Sequence, residues 1–200
     1  DTSFGTGGKA STTGGRAFAV ALQPDGKIVV AGEELGGNSS SKFLLVRFTA
    51  SGGLDSTFGT SGRVSTNLTG SYEEAFDVAL QPDGKIIAVG QVSPTDVFPA
   101  MYNFALVRYQ PNGSVDTGFG TSGVTITDLG GFDRARAVGL QPDGRIVVAG
   151  GALGTEWPTN QIAVARYHTG GSLDTSVISA NLSVGEDLAI QPDGRVVVAA

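Results

Sequence analysis

The string Gln-Pro-Asp-Gly stands four times in this chain, beginning at Gln23, Gln81, Gln141 and Gln191, each time between two apolar runs. Successive copies lie 58, 60 and 50 residues apart. A period of that length constrains the fold more than any local motif, because each unit is one supersecondary element that buries its faces only against its neighbours. Proline at the second turn position presets φ, aspartate accepts a local hydrogen bond, and glycine takes the positive φ of a bulged hairpin. Pro24, Asp25 and Gly26 make the first such turn. Pro82, Asp83 and Gly84, then Pro142, Asp143 and Gly144, then Pro192, Asp193 and Gly194 make the other three.

In the first full unit the turn joins a strand over 18–22 to one over 27–31. A third strand over 43–48 recurs at 104–109 and 162–167, and a fourth over 63–67 recurs at 124–128. The second strands, such as Ile28-Val29-Val30-Ala31 and Ile146-Val147-Val148-Ala149, are apolar at consecutive positions. Strands of that kind are buried on both faces, as happens when sheets stack. Four antiparallel strands are the content of one propeller blade. The predicted fold class is therefore all-β: a β-propeller of four-stranded antiparallel blades, three full blades plus partial units at both ends.

The chain reads as a single repeat array with units over 1–15 (partial), 16–68, 74–128, 134–181 and 184–200 (partial). Asp1-Thr2-Ser3-Phe4-Gly5 matches Asp55-Ser56-Thr57-Phe58-Gly59, and the final residues match 145–150, so the array is expected to be a piece of a propeller. A leading fourth strand over 9–13 and a trailing strand pair over 187–200 are expected at its ends. The last full unit departs from the pattern, since Asp174 is followed by Thr175-Ser176-Val177-Ile178 without Phe-Gly; its fourth strand is expected over 177–181.

Units with a V-A-L-Q-P-D-G-K-I-V-V-A-G core, an arginine-bearing third strand ending in an aromatic residue, and an L-D-x-T-F-G-T-S-G tail resemble the bacterial delta-60 repeat family. That resemblance implies a β-propeller domain of unknown function, commonly within large secreted or surface proteins of bacteria. It carries no catalytic residues with it. The localisation expected from it is extracellular or at the cell surface.

A net charge of −6, a pI near 4.6 and the lack of any run of Lys or Arg speak against nucleic acid as a partner. Cysteine is absent, so no disulfide framework or thiolate metal site can form. No apolar stretch approaches the ~20 residues of a membrane-spanning helix. With 31 glycines and 40% hydrophobic residues, the composition is that of turn-rich β structure, not of a disordered chain.

Arg47, Arg108 and Arg166 each precede an aspartate by eight residues, Asp55, Asp116 and Asp174. A constant offset points to one structural ion pair per blade, joining third strand to tail. The turn aspartates lack calcium-loop spacing, and turn chemistry accounts for them, so no metal and no cofactor is expected. His168, the only histidine, is read as a loop residue. Glu73, Glu74 and Asp133 fall in equivalent loops, which keeps glycosidase-like chemistry as an alternative.

Segments between second and third strands vary while the turns at the other hairpin end do not, so one face of the disc collects the variation. Phe98, Met101, Tyr102 and Trp157 lie on it, with Tyr72, Glu73, Glu74, Phe132 and Asp133 from the loops between units. Aromatics beside carboxylates suit a protein contact or carbohydrate stacking. The expected function is a non-catalytic structural or protein-interaction module of a larger protein or assembly. A protein partner, a second copy or the rest of a parent chain would complete the propeller. The alternative is a carbohydrate-binding or carbohydrate-active propeller.

Overall fold

The computed structural model describes residues 1–37, 40–68, 72–93, 101–153 and 160–200, and among them fourteen strands and no helix. The first blade is β1 (Gly15–Leu22), β2 (Ile28–Leu35), β3 (Ser41–Phe48) and β4 (Arg63–Thr66), paired in that order. The second is β5 (Glu73–Leu80), β6 (Ile86–Val92), β7 (Asn103–Tyr109) and β8 (Val124–Thr127). The third is β9 (Arg134–Leu140), β10 (Ile146–Leu153), β11 (Asn160–Tyr167) and β12 (Leu173–Leu182). β13 (Asp187–Ile190) and β14 (Val196–Ala199) form a two-stranded sheet. All pairs are antiparallel.

Each Gln-Pro-Asp-Gly turn closes the hairpin between the first two strands of its unit. Gly26 N–H donates to the Gln23 carbonyl at 2.9 Å, and Gln23 N–H to that of Lys27 at 2.8 Å. The Asp25 carboxylate accepts from Lys27 N–H at 3.1 Å, and Asp83, Asp143 and Asp193 repeat the contact. Gly26, Gly84, Gly144 and Gly194 take φ of 81°, 83°, 83° and 84°, the left-handed region where a side chain is disfavoured.

The core lies between blades. Phe43 and Leu45 of β3 join Val78 of β5 and Val107 and Tyr109 of β7 in one buried cluster. Phe104 and Leu106 of β7 join Ile146 and Val148 of β10 and Tyr167 of β11 in the next. Every residue of β6 is buried, as the unbroken apolar run requires of a strand covered on both faces. The buried tyrosines are satisfied across the interface: Tyr109 Oη lies 2.8 Å from Thr66 Oγ1, and Tyr167 Oη donates to Thr127 Oγ1 at 2.9 Å. Burial pushes the Tyr167 phenol up to about 12.

Two expectations about the strands need correction. Residues 9–13 form no strand; Lys9 makes only a bridge to Gly5, and Ala10 packs on Leu44, Val46 and Phe48 of the first blade. No described strand runs beside this segment to complete a ladder. In the third blade the last strand begins at Leu173, directly opposite Tyr167, and not at 177. The Phe-Gly loop that separates third from fourth strand in the other blades is absent there, so the chain turns straight into the ladder.

Candidate functional site

The eight-residue Arg-Asp offset places both groups at one corner of the blade. Arg47 Nε donates to Asp55 Oδ2 at 2.8 Å and Arg108 Nε to Asp116 Oδ2 at 2.8 Å, all four residues being buried. Arg166 Nε reaches Asp174 Oδ2 at 2.7 Å in a more open setting. Thr57, through its hydroxyl and its N–H, and then Arg47 hold the Asp55 carboxyl well below the usual carboxylate range. The same guanidinium reaches the next blade: Arg47 Nη1 donates to the Pro111 carbonyl at 2.6 Å, and Arg108 Nη1 to that of Thr169 at 2.6 Å.

Beneath each guanidinium lies the tail phenylalanine. Arg47 Cζ sits 4.4 Å from the Phe58 ring centroid and Arg108 Cζ 4.7 Å from that of Phe119. Both rings are fully buried against a turn of the following blade, at Gly113 and Gly171. A Cβ at Gly113 would stand 2.9 Å from Phe58, and one at Gly171 2.8 Å from Phe119, so glycine is what lets the ring in. Gly59 N–H to the Asn112 carbonyl (2.9 Å) and Gly120 N–H to that of Gly170 (2.8 Å) complete the latch. His168 lies beside the third pair, its Nε2 3.6 Å from Asp174 Oδ1.

A second recurring site leaves no constant residue identity at its bulge in the sequence. β1, β5 and β9 each carry a one-residue bulge, at Phe18, Phe76 and Arg136, where the register slips against the neighbouring strand. Gly32, Gly90 and Gly150 face the bulges, and a Cβ there would meet a backbone carbonyl at 1.8, 1.8 and 1.9 Å. Phe18, Phe76, Arg136 and Glu186 line one cavity of about 410 Å³. The two rings are 5.4 Å apart, Arg136 Cζ lies 5.6 Å from the Phe76 centroid, and Arg136 Nη1 pairs with Glu186 Oε2 at 3.3 Å. All four stand five residues before the glutamine of their turn, a fixed offset with changing chemistry.

On the opposite face from the Gln-Pro-Asp-Gly turns, the loops between second and third strands meet those between units. Tyr102 bridges Phe132, with ring centroids 6.3 Å apart, and Arg134 Cζ lies 5.5 Å from the Tyr102 ring. Tyr72 is exposed beside this pair, its carbonyl accepting from Ser93 N–H at 3.0 Å. Gln91 Nε2 donates to Glu74 Oε2, and Arg16 Nη1 pairs with Glu33 Oε1 at 3.0 Å. Burial, then the charge of Glu33, pushes the Glu74 carboxyl up. Met101 is exposed nearby in sequence. Phe98 and Trp157 lie outside the described residues.

Of the carboxylates expected in equivalent loops, Glu73 and Asp133 are engaged by the backbone at the blade boundaries. Glu73 and Glu74 belong to β5, and Glu73 is fully buried, its oxygens accepting from Leu68 N–H at 2.9 Å. Asp133 is equally buried just before β9 and accepts from Leu129 N–H at 2.6 Å. Each anchors the connection from one blade to the next, because a buried backbone donor needs an acceptor. Burial pushes Asp133 up to about 6. Among the described residues no group of three or more His, Cys, Asp or Glu side chains could hold a metal ion.

Blades of four antiparallel strands, stacked face to face with the tails of the first two seated in the blade that follows, define a β-propeller. A family described as "Domain of unknown function (DUF5122) beta-propeller" matches residues 23–58, 81–119 and 141–176, and the chain belongs to that family. A solved structure described as a protein of unknown function from Dyadobacter fermentans DSM 18053 is similar in fold, with a TM-score of 0.54 at 16% identity. The match covers 90% of this chain and 55% of that one, so the chain spans about half the length of its relative. No curated protein matches the chain.

Proposed function

We propose that this chain is a non-catalytic propeller segment of the delta-60 kind that acts outside the bacterial cell as a structural and protein-interaction module of a larger protein or assembly. One observation carries the reading. Val20 on β1 is 67% exposed, whereas Val78, at the same repeat position on β5, is 7% exposed because the first blade covers it. Leu22 and Val197 are likewise open, so apolar blade faces are offered to a neighbour. Sedimentation velocity over a concentration series tests this, with concentration-dependent association expected and a strict monomer at all concentrations speaking against it. Surface labelling of intact cells tests the location.

A glycan-binding reading draws on the cluster of Tyr72, Glu74, Tyr102 and Phe132, where rings and a carboxyl share one face. A glycan array run beside a hydrolysis assay separates the two, and saturable glycan binding lost in Tyr102→Ala would favour the second.

A further inference from the structure

The first strands of successive units, β1, β5, β9 and β13, pack one against the next. They set Phe18, Phe76, Arg136 and Glu186 around one cavity of about 410 Å³, with Asp77 and Asp187 beside them. That volume falls in the range of small-molecule sites, roughly 300 to 1,000 Å³. Phe76 and Arg136 stand on β5 and β9, each of which has another first strand packed on either side, so the cavity lies within the array.

The frame is constant while the group it carries changes. In three units a bulge turns one residue out of the ladder, and Gly32, Gly90 and Gly150 make room opposite. At the blade corner, where the role is structural, arginine repeats in all three full units. At the bulge position two rings, a guanidinium and a carboxylate follow one another. Four different deliveries into one cavity from one backbone device build a site and not a repeated fastening.

The charged groups there are only partly engaged. Arg136 lies over the Phe76 ring, and its one ion pair among the described residues is with Glu186 at 3.3 Å, while its Nε is buried without a hydrogen-bond partner. Arg47 and Arg108, by contrast, each hold a carboxylate at 2.8 Å and a carbonyl at 2.6 Å. The Glu186 side chain is 57% exposed, and Asp187 is exposed with its Oδ1 accepting from Leu188 N–H at 2.7 Å. Asp77 belongs to the wall, since its two oxygens accept from Val78 and Val138 N–H at 2.7 and 2.8 Å. Phe18 and Phe76 supply the apolar surface, their ring centroids 5.4 Å apart and tilted by 56°. A lone anion entering this cavity meets Glu186 and Asp187, and a lone cation meets Arg136. A ligand carrying both charges finds a counter-charge for each.

We propose that this cavity binds a small aromatic zwitterion, the chemistry of a free aromatic α-amino acid. The carboxylate seats on the Arg136 guanidinium, the ammonium on Glu186 and Asp187, and the ring packs on Phe18 and Phe76. Arginine suits the first task because its planar fork takes a carboxylate through two donors while its face stays on the Phe76 ring. The tilted ring pair suits the third, because a further ring can meet it edge to face or offset. The proposal goes beyond the interaction-module reading and does not depend on it.

Isothermal titration calorimetry of the full chain with phenylalanine, phenylpropionate and phenethylamine tests the site, since the three share a ring and carry both charges, the negative one alone or the positive one alone. Saturable binding of phenylalanine is expected, with each single-charge analogue weaker on the order of tenfold or more, and with a similar loss for phenylalanine in Arg136→Gln and in Glu186→Gln. Because the Glu186 side chain is more than half exposed, Glu186→Gln should melt as the wild type does, which separates loss of the site from loss of the fold. No saturable binding of phenylalanine at millimolar concentration, equal affinity for either analogue, or unchanged affinity in either variant overturns the proposal. Self-association of the chain is read separately by sedimentation and is untouched by any of these results.

Discussion

Arg47 in the first blade and Pro111 in the second are 64 residues apart in sequence, yet the guanidinium Nη1 donates to the proline carbonyl at 2.6 Å. That bond makes the Arg-Asp pair more than a fastening within one blade. The aspartate orients the guanidinium, the tail phenylalanine supports it from below, and its free nitrogen crosses to the neighbour. Arg108 and Thr169 repeat the relationship one blade further on.

Arg108→Ala should therefore destabilise the protein by about 1 to 3 kcal/mol, since it removes a buried charge-assisted bond, an inter-blade bond and the contact with Phe119. Arg166→Ala should leave the unfolding midpoint nearly unchanged, because its pair is open to solvent and no tail phenylalanine lies beneath it. Urea unfolding of the two variants side by side checks the contrast. Equal losses would contradict it.

Gly90→Ala should cost about 3 kcal/mol, because the new methyl meets the Glu74 carbonyl carbon and oxygen at the bulge and must displace backbone. Gly37→Ala meets nothing within 4 Å and should be tolerated. Thermal melts of both variants suffice, and a well-folded Gly90→Ala with wild-type stability would count against the bulge geometry.

Asp133 carries a pH signature. Its folded value of about 6 lies above the ordinary 3.8, so the folded state holds the proton more tightly than the unfolded one. The stability it contributes is present when protonated and is lost as pH rises through about 4 to 6. Burial shifts Glu74 and Asp77 in the same direction. Asp55, Asp116 and Asp174 shift the other way, and what they contribute is lost as pH falls below the ordinary carboxylate value. Stability should thus rise as pH falls from neutrality to about 4 and then decline. Asp133→Asn, which keeps an acceptor for Leu129 N–H, should flatten the rise; an unchanged slope would reject the assignment.

What the sequence made legible is what recurs. Four identical turns marked the hairpins, and the fixed spacing from Arg47, Arg108 and Arg166 to their aspartates located the blade corner. The arrangement between blades was less visible, since Pro111 and Thr169 receive an arginine through their carbonyls and a carbonyl leaves no mark on residue type. Glu73 and Asp133 look like loop acids in sequence, because a carboxylate that serves buried backbone N–H groups is the same residue type as one in water. Phe18, Phe76, Arg136 and Glu186 hold one position, a bulge in the first three, while their chemistry changes, so a search for repeated identity passes over them. In the last full unit, the loss of Phe-Gly removed the loop itself, which moved the start of β12 four residues earlier than expected.

Hydrogen exchange followed by mass spectrometry on Phe58→Ala tests most directly whether each blade is latched into the next. The latch predicts faster exchange in two places: in the tail around residues 55–62, and across the blade boundary in the turn at 110–115, where Gly113 receives the ring. Faster exchange confined to the tail, with the 110–115 turn as protected as in the wild type, would contradict it.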